Sequence, residues 1–290
     1  MRDDKNIETR TGMRVQVDNT PIDYYPYWIV PQGGERDGEG NRKTEKVSLE
    51  ILKGVFSSER LDVDALVITS DLQGIVREKE EEYLLGEKLP DFLRLLFEVE
   101  LPQIRLSEIG VLLCGDLFAT LKKRGGLGDV KDVWRKFKAH YKWVSGVAGN
   151  HDEFGDKPAF ETFKREKGIY YLSREIRKVD KIEIGGISGI IGALDKPNRL
   201  TEVDFLQTLK TILLKQPEMI LLHQGPSVPT LRLEGEVKIQ EVIENSPPNL
   251  IFCGHCHWEQ PLVSLENGTQ ILNVDKRVVI LINSQLIENQ

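Results

Sequence analysis

The sequence predicts an α/β fold centred on a largely parallel sheet with helices on both faces. Three observations carry this. Short runs such as Ala65-Leu66-Val67-Ile68, Gly110-Val111-Leu112-Leu113-Cys114 and Met219-Ile220-Leu221-Leu222 are apolar throughout, as strands covered on both faces must be. Between the runs, apolar residues recur at helical spacing. Each run ends in a cluster of Gly, Asp, Asn or His.

The elements follow in order. Met1 to Thr20 is polar and charged, with no apolar stretch of the kind a secretory leader needs. The aromatic group Tyr24, Tyr25, Tyr27 and Trp28 comes next, a candidate lid that suits packing against the core better. Gln32 to Lys46 holds Gly, Glu, Arg and Asp without one apolar residue and predicts a mobile loop. One domain is therefore expected over 1–290, with an N-terminal extension over 1–46 that includes the loop 32–46. Leu49, Ile51, Leu52, Val55 and Phe56 recur at helical spacing and predict a helix. Asp64 to Thr69 reads as a buried strand ending in Ser70-Asp71. Pro90 opens a helix through Phe97, and Gly110 to Cys114 is a strand ending in Gly115-Asp116. Val130 to His140 is helical, with His140 a structural residue on it, and Trp143 to Ala148 is a strand ending in Gly149-Asn150-His151-Asp152.

In the second half, Lys181–Ile184 and Ile187–Ile191 flank Gly185-Gly186 and read as a hairpin. A helix spans Val203 to Leu214, and Met219 to Leu222 is a strand ending in His223. A further helix leads to the strand Asn249 to Cys253, which ends in Gly254-His255. Three short strands close the chain, Leu262–Leu265, Gln270–Asn273 and Val278–Ile282, with Asn267-Gly268 as a hairpin turn.

Composition bounds the function. With 290 residues, 40% hydrophobic and 29% charged, the chain can bury a substantial core. Cys114, Cys253 and Cys256 make no disulfide framework and point to a reducing compartment, and no apolar stretch is long enough to span a bilayer. The cytoplasm is the expected location. A net charge of −7 disfavours duplex nucleic acid as a partner. Small phosphorylated substrates fit better, because bound metal ions invert the local field.

Four of the five histidines, His151, His223, His255 and His257, lie in Gly-, Asn- or Asp-bearing clusters. Core histidines would not fall repeatedly at strand ends, whereas ligands of a shared metal centre would, since open α/β sheets place their sites there. In extended backbone, residues i and i+2 project to one side, so Asp71 and Gln73 are expected to converge, as are His255 and His257. Carboxylate, imidazole and amide together suit Mn, Fe, Ni or Zn rather than a thiolate-held zinc. Cys253, His255, Cys256 and His257 resemble half of a zinc finger, but no partner Cys pair exists. Taken singly, Asp71 and Asp116 also suit helix N-caps. No nucleophile elbow and no Gly-x-x-x-x-Gly-Lys loop is present.

In this order, Asp71-Leu72-Gln73, Gly115-Asp116, Gly149-Asn150-His151-Asp152, His223 and Gly254-His255-Cys256-His257 resemble the motifs of the calcineurin-like metallophosphoesterase superfamily, from about Asp64 onward. The resemblance implies a two-sheet β-sandwich flanked by helices, an αββα arrangement with metals at the carboxyl ends of the strands. It assigns Asp71 and His257 to a first metal, Asp116 as the bridge, and Asn150, His223 and His255 to a second. His151 becomes the non-ligand that contacts phosphate or protonates the leaving oxygen; Asp152 beside it is expected to orient His151 or a neighbouring backbone group rather than to bind metal. Two divalent ions are expected, Mn before Fe, Zn or Ni. Such ions, roughly 3.5 to 4 Å apart, share a hydroxide and neutralise phosphoryl oxygens during hydrolysis of a phosphomonoester or phosphodiester. One departure stands out: Gln73 occupies the place of a His, and its amide should hold the first metal more loosely. A one-metal scaffold that binds a phosphorylated ligand or a protein partner is the alternative. Lys196 and Arg199 are the expected substrate contacts, ahead of the short basic run Lys122-Lys123-Arg124.

Overall fold

The computed structural model describes residues 13–33 and 43–288, and within them the chain forms two large sheets packed face to face with helices outside each. The ten-stranded sheet runs Ile169–Tyr171, Trp143–Gly146, Ile109–Leu113, Ala65–Ser70, Arg277–Asn283, Glu45–Ser57, Asp23–Ile29, Ile75–Glu78, Glu81–Leu84, with Arg14–Val17 also paired to Glu45–Ser57. The six-stranded sheet runs Glu175–Val179, Ile182–Ile187, Met219–Gln224, Leu250–Gly254, Gln270–Asn273, Leu262–Ser264. No described helix is long and apolar enough to cross a membrane.

Each sheet has a parallel block of four strands, from Ile169–Tyr171 to Ala65–Ser70 in one and from Ile182–Ile187 to Gln270–Asn273 in the other. The flanks are mixed: Arg277–Asn283 runs antiparallel to Ala65–Ser70 and parallel to Glu45–Ser57. The alternation of side chains explains the all-apolar runs. Ala65 and Val67 face the helices Leu85–Glu100 and Lys131–His140, while Leu66 and Ile68 face the other sheet. In the second sheet Ile220 and Leu222 meet the helices Glu202–Lys215 and Val237–Glu244, while Met219 and Leu221 fill the space between the sheets. Each such Leu, Ile or Val contributes about 1.5–3 kcal/mol on leaving water, so both faces of every central strand hold the sandwich together.

Three expectations need correction. Residues 49–56 form no helix but part of the strand Glu45–Ser57. Leu49 and Ile51 enter the helix-side core, and Leu52 and Phe56 enter the inter-sheet core; a strand apolar on both faces reproduces helical spacing by accident. The helix expected from Pro90 starts earlier, at Leu85, where the Glu87 carboxylate accepts the Leu84 N–H at 2.8 Å. Before it lies an unforeseen hairpin, Ile75–Glu78 with Glu81–Leu84. Gly185 and Gly186 do not turn the chain: Ile182–Ile187 runs straight through them, because a Cβ at either would come within 2.6 Å of Ile212 or Leu172. The hairpin is instead Glu175–Val179 with Ile182–Ile187.

The aromatic group falls on the strand Asp23–Ile29, where Tyr27 is buried and Tyr25 stacks on Phe92 with ring centroids 4.5 Å apart. Of the expected loop 32–46, residues 34–42 lie outside the described ones, and Glu45 and Lys46 already belong to a strand. Residues 1–12 also lie outside them.

Candidate metal centre

The carboxyl ends of the parallel strands from both sheets meet at one rim. Ala65–Ser70 delivers Asp71 and Gln73, Ile109–Leu113 delivers Asp116, and Trp143–Gly146 leads to Asn150 and His151. From the other sheet, Met219–Gln224 carries His223 and Leu250–Gly254 leads to His255 and His257. The backbone is bent to present them: Asp71, Asp116 and His255 adopt φ of 54°, 56° and 71°. Left-handed backbone in a residue other than glycine costs about 1–3 kcal/mol and collects at functional sites. It also breaks the i, i+2 alternation on which the expected pairing of His255 with His257 rests. At Gly149 a Cβ would collide with the Asp116 carboxylate, which explains that glycine beside Asn150.

Asp116, His223 and His255 each offer a ligand atom, and these atoms lie within 4.8 Å of one another. His223 Nε2 stands 3.4 Å from Asp116 Oδ2 and 3.3 Å from Asn150 Oδ1. The other ring nitrogen, Nδ1, is 2.8 Å from the Cys114 carbonyl oxygen, which can only accept, so Nδ1 carries the proton. Nε2 then faces two acceptor oxygens, which a second ring proton satisfies in the metal-free protein and a cation could satisfy in its place. The electrostatics agree. Burial opposes charge on His223, but Asp116 and Asp71 outweigh it and push its pKa up to about 10. Burial, then the neighbouring His223, lowers His255 to about 4. Burial also works against ionisation of Asp116, yet His223 and His151 hold its carboxyl below the usual range. These four residues fit a divalent ion: two imidazoles, a carboxylate and an amide oxygen with a common focus.

The other three expected ligands are placed differently. Asp71 Oδ2 accepts from Ser70 Oγ at 2.6 Å and from the His255 N–H at 2.9 Å. Burial, then Asp275 and Asp116, raise the Asp71 carboxyl well above its ordinary range. Asp275 is held low despite burial, by His257 and Lys276. Gln73 turns its amide nitrogen, not its oxygen, to Asp116 Oδ2 at 3.2 Å. His257 Nδ1 lies 3.2 Å from both the backbone oxygen and Oδ2 of Asp275, while Nε2 lies 2.9 Å from Arg277 Nη2. Asp275 and Arg277 were not legible as site residues, because the direction of the last strand decides where they fall.

His151 sits at the edge of the focus. Its backbone N–H donates to Asp116 Oδ1 at 2.8 Å, its Nδ1 meets the Gly126 carbonyl oxygen at 3.1 Å, and Nε2 stands 4.0 Å from Asp116 Oδ2. Asp152, grouped with it from the sequence, spends its carboxylate on the backbone N–H groups of Asp116, Leu117 and Gly149 at 2.7–2.8 Å. Burial, then Asp116, raises its pKa to about 6. It ties two ligand loops together by orienting the neighbouring backbone. Lys196 is exposed on its loop, and Arg199 has a buried Nη1 without a partner among the described residues. Neither lines the cavity of about 600 Å³ that opens on Asp71, Gln73 and His257; its cations are Arg124, Lys276 and Arg277, and Tyr27 and Trp28 form part of its wall.

Residues 65–259 match the family model described as calcineurin-like phosphoesterase. No curated protein matches the chain. Among solved structures, the phosphopantetheinyl hydrolase PptH from Mycobacterium tuberculosis is similar over 79% of this chain and 93% of that one, at 9% identity and a TM-score of 0.42. That likeness carries no argument here about activity.

Proposed function

The chain belongs to the calcineurin-like phosphoesterase family, and from that premise we propose that it is a metal-dependent hydrolase of phosphoester bonds in a small phosphorylated molecule or nucleotide. The observation that carries the reading is the convergence of His223 Nε2 with Asp116 Oδ2 and Asn150 Oδ1 at a focus shared with His255. A divalent ion held there, with Mn the best match to mixed nitrogen and oxygen donors, supplies an activated water and charge neutralisation of the phosphoryl group.

The remaining work falls to the chain's own side chains. The Cys114 carbonyl oxygen fixes the His223 tautomer. Asp152 holds the Asp116 and Gly149 backbones in register through its buried carboxylate. His151, oriented by the Gly126 carbonyl oxygen, keeps Nε2 directed toward the focus, where it can hold a proton for the departing alkoxide. Arg124 and Lys276 line the adjoining cavity and favour an anionic ligand.

The test is turnover of p-nitrophenyl phosphate and bis-p-nitrophenyl phosphate by Mn-loaded protein, with a chelator-treated control. Chelator-sensitive release of nitrophenolate is expected from at least one of the two. Loaded protein inert on both, and on a panel of nucleotide esters, would sink the hydrolase reading in favour of a binding scaffold.

A further inference from the structure

We propose that Trp28 is a stacking platform for the base of a nucleotide, so that the ester brought to the metal centre carries a nucleoside as its alcohol. Trp28 is the one tryptophan of four that is not buried: Trp134, Trp143 and Trp258 are 0%, 3% and 1% exposed, whereas Trp28 is half-buried and lines the cavity of about 600 Å³. That volume falls within the roughly 300–1,000 Å³ of small-molecule sites. Strand register places the indole. Along Glu45–Ser57, Leu52 and Phe56 enter the inter-sheet core, so at a period of two Ser48 and Glu50 lie on the same face. Pro26 stands opposite Ser48 and Trp28 opposite Lys46, which puts Trp28 on that face as well. Here the second sheet no longer covers it: Ser48 is exposed, Glu50 is half-buried, and among the described residues none of the six-stranded sheet lines the cavity.

The platform and the metal centre share one space, since Asp71, Gln73 and His257 line the same cavity. Tyr27, next to Trp28, lies against Gly74, where a Cβ would collide with its ring, and so ties the cavity wall to the loop that bears Asp71 and Gln73. Arg77 lies over the indole with Cζ 5.0 Å from the ring centroid, bonds to Glu82 at 3.1 Å and does not line the cavity. The indole therefore meets the cavity with surface that Arg77 leaves uncovered. Every base has a π-face to lay on such a ring. The rest of the wall suits a nucleoside better than an alkyl chain. Asn19 and Gln32 bring amides, which donate and accept as base edges do, and Glu50 brings a carboxylate for hydroxyl or amino groups. Arg124 and Lys276 on the same walls favour the anionic end. Asn19, Trp28, Gln32 and Glu50 all precede the residues 65–259 that match the family model, so the feature belongs to this chain's own N-terminal strands.

The inference rests on the phosphoester reading for the reaction, but the binding of the base is tested separately. Nucleosides carry no phosphoester and are not turned over, so their binding to Mn-loaded protein is read at equilibrium, by calorimetry and by quenching of indole fluorescence. At least one of adenosine, guanosine, cytidine and uridine should bind at least tenfold more tightly than ribose and quench the fluorescence. Trp28→Ala should weaken that nucleoside roughly ten- to hundredfold, the range of one base–aromatic stack. Trp28→Phe should keep most of the affinity and lose the quench, because the other three tryptophans are buried. If Trp28→Ala fails to fold, Trp28→Leu, which keeps apolar bulk without a ring, should show the same loss. No nucleoside tighter than ribose, or unchanged affinity in a folded Trp28→Ala or Trp28→Leu, would overturn the proposal and leave hydrolysis of nitrophenyl esters untouched. Nucleoside binding that depends on Trp28, in a protein inert on every ester, would remove the hydrolase reading and leave the base site standing.

Discussion

The two halves of the site, a few ångströms apart, are built on opposite terms. At the second position, Asp116, Asn150, His223 and His255 turn acceptor atoms toward one another, so the protein leaves a deficit of positive charge. At the first, Asp71 accepts from Ser70 and from the His255 N–H, Gln73 donates to Asp116, and the His257 ring lies between Asp275 and Arg277. Ligand identity alone does not make a metal site: unengaged lone pairs do.

The largest expected effect breaks the second position outright. Asp116→Ala should abolish retained metal and bring hydrolysis to background, because Asp116 is the carboxylate of the converging group. Elemental analysis after gel filtration checks it, and a variant that keeps its ion would mean the focus lies elsewhere.

His151→Ala should keep the ion and lose activity by about 10² to 10⁴, the range for a positioned general acid. The loss should be greatest on esters with poor leaving groups and small on nitrophenyl esters. A uniform loss across leaving groups would point to phosphate contact in place of proton donation.

The charge deficit gives a pH signature. His223 has a folded pKa of about 10 against an ordinary 6.5, so in metal-free protein its stabilisation is complete below pH 6.5 and is lost as pH rises toward 10. A bound ion displaces that proton, so Mn affinity should rise by about tenfold per pH unit across the same window. Calorimetry at several pH values checks it, and a flat profile would show that His223 already lacks the proton.

The smallest effect sharpens the contrast. Gln73→His supplies the imidazole that the family resemblance leads one to expect and should raise the Mn retained at the first position, because imidazole donates better than an amide whose N–H group faces Asp116. A second bound Mn in this single variant would show that Gln73 alone weakened the first position.

Much of this was legible in the sequence because it rests on short-range patterns. Ala65 to Ser70, Ile109 to Leu113 and Met219 to Gln224 are apolar runs, and runs covered on both faces place their ends at a common rim. Asp116, Asn150, His223 and His255 follow from those ends. Where both faces of Glu45–Ser57 proved apolar, the same logic failed, because covering a strand twice erases its period of two. The glycines at 185 and 186 misled for a similar reason: they admit Ile212 and Leu172 rather than a turn. Lys196 and Arg199 were judged by their order in the chain, whereas the cavity's cations come from elsewhere.

The sequence by itself determined the strand ends, the donor types and their order, since these depend on local periodicity and on the chemistry of each residue. Only the tertiary structure decided which donors remain available. Arg277 reaches His257 because its strand lies antiparallel to Ala65–Ser70, which sets its first residue opposite Ser70 at the rim. Strand direction is fixed by packing between distant segments, and no local pattern encodes it.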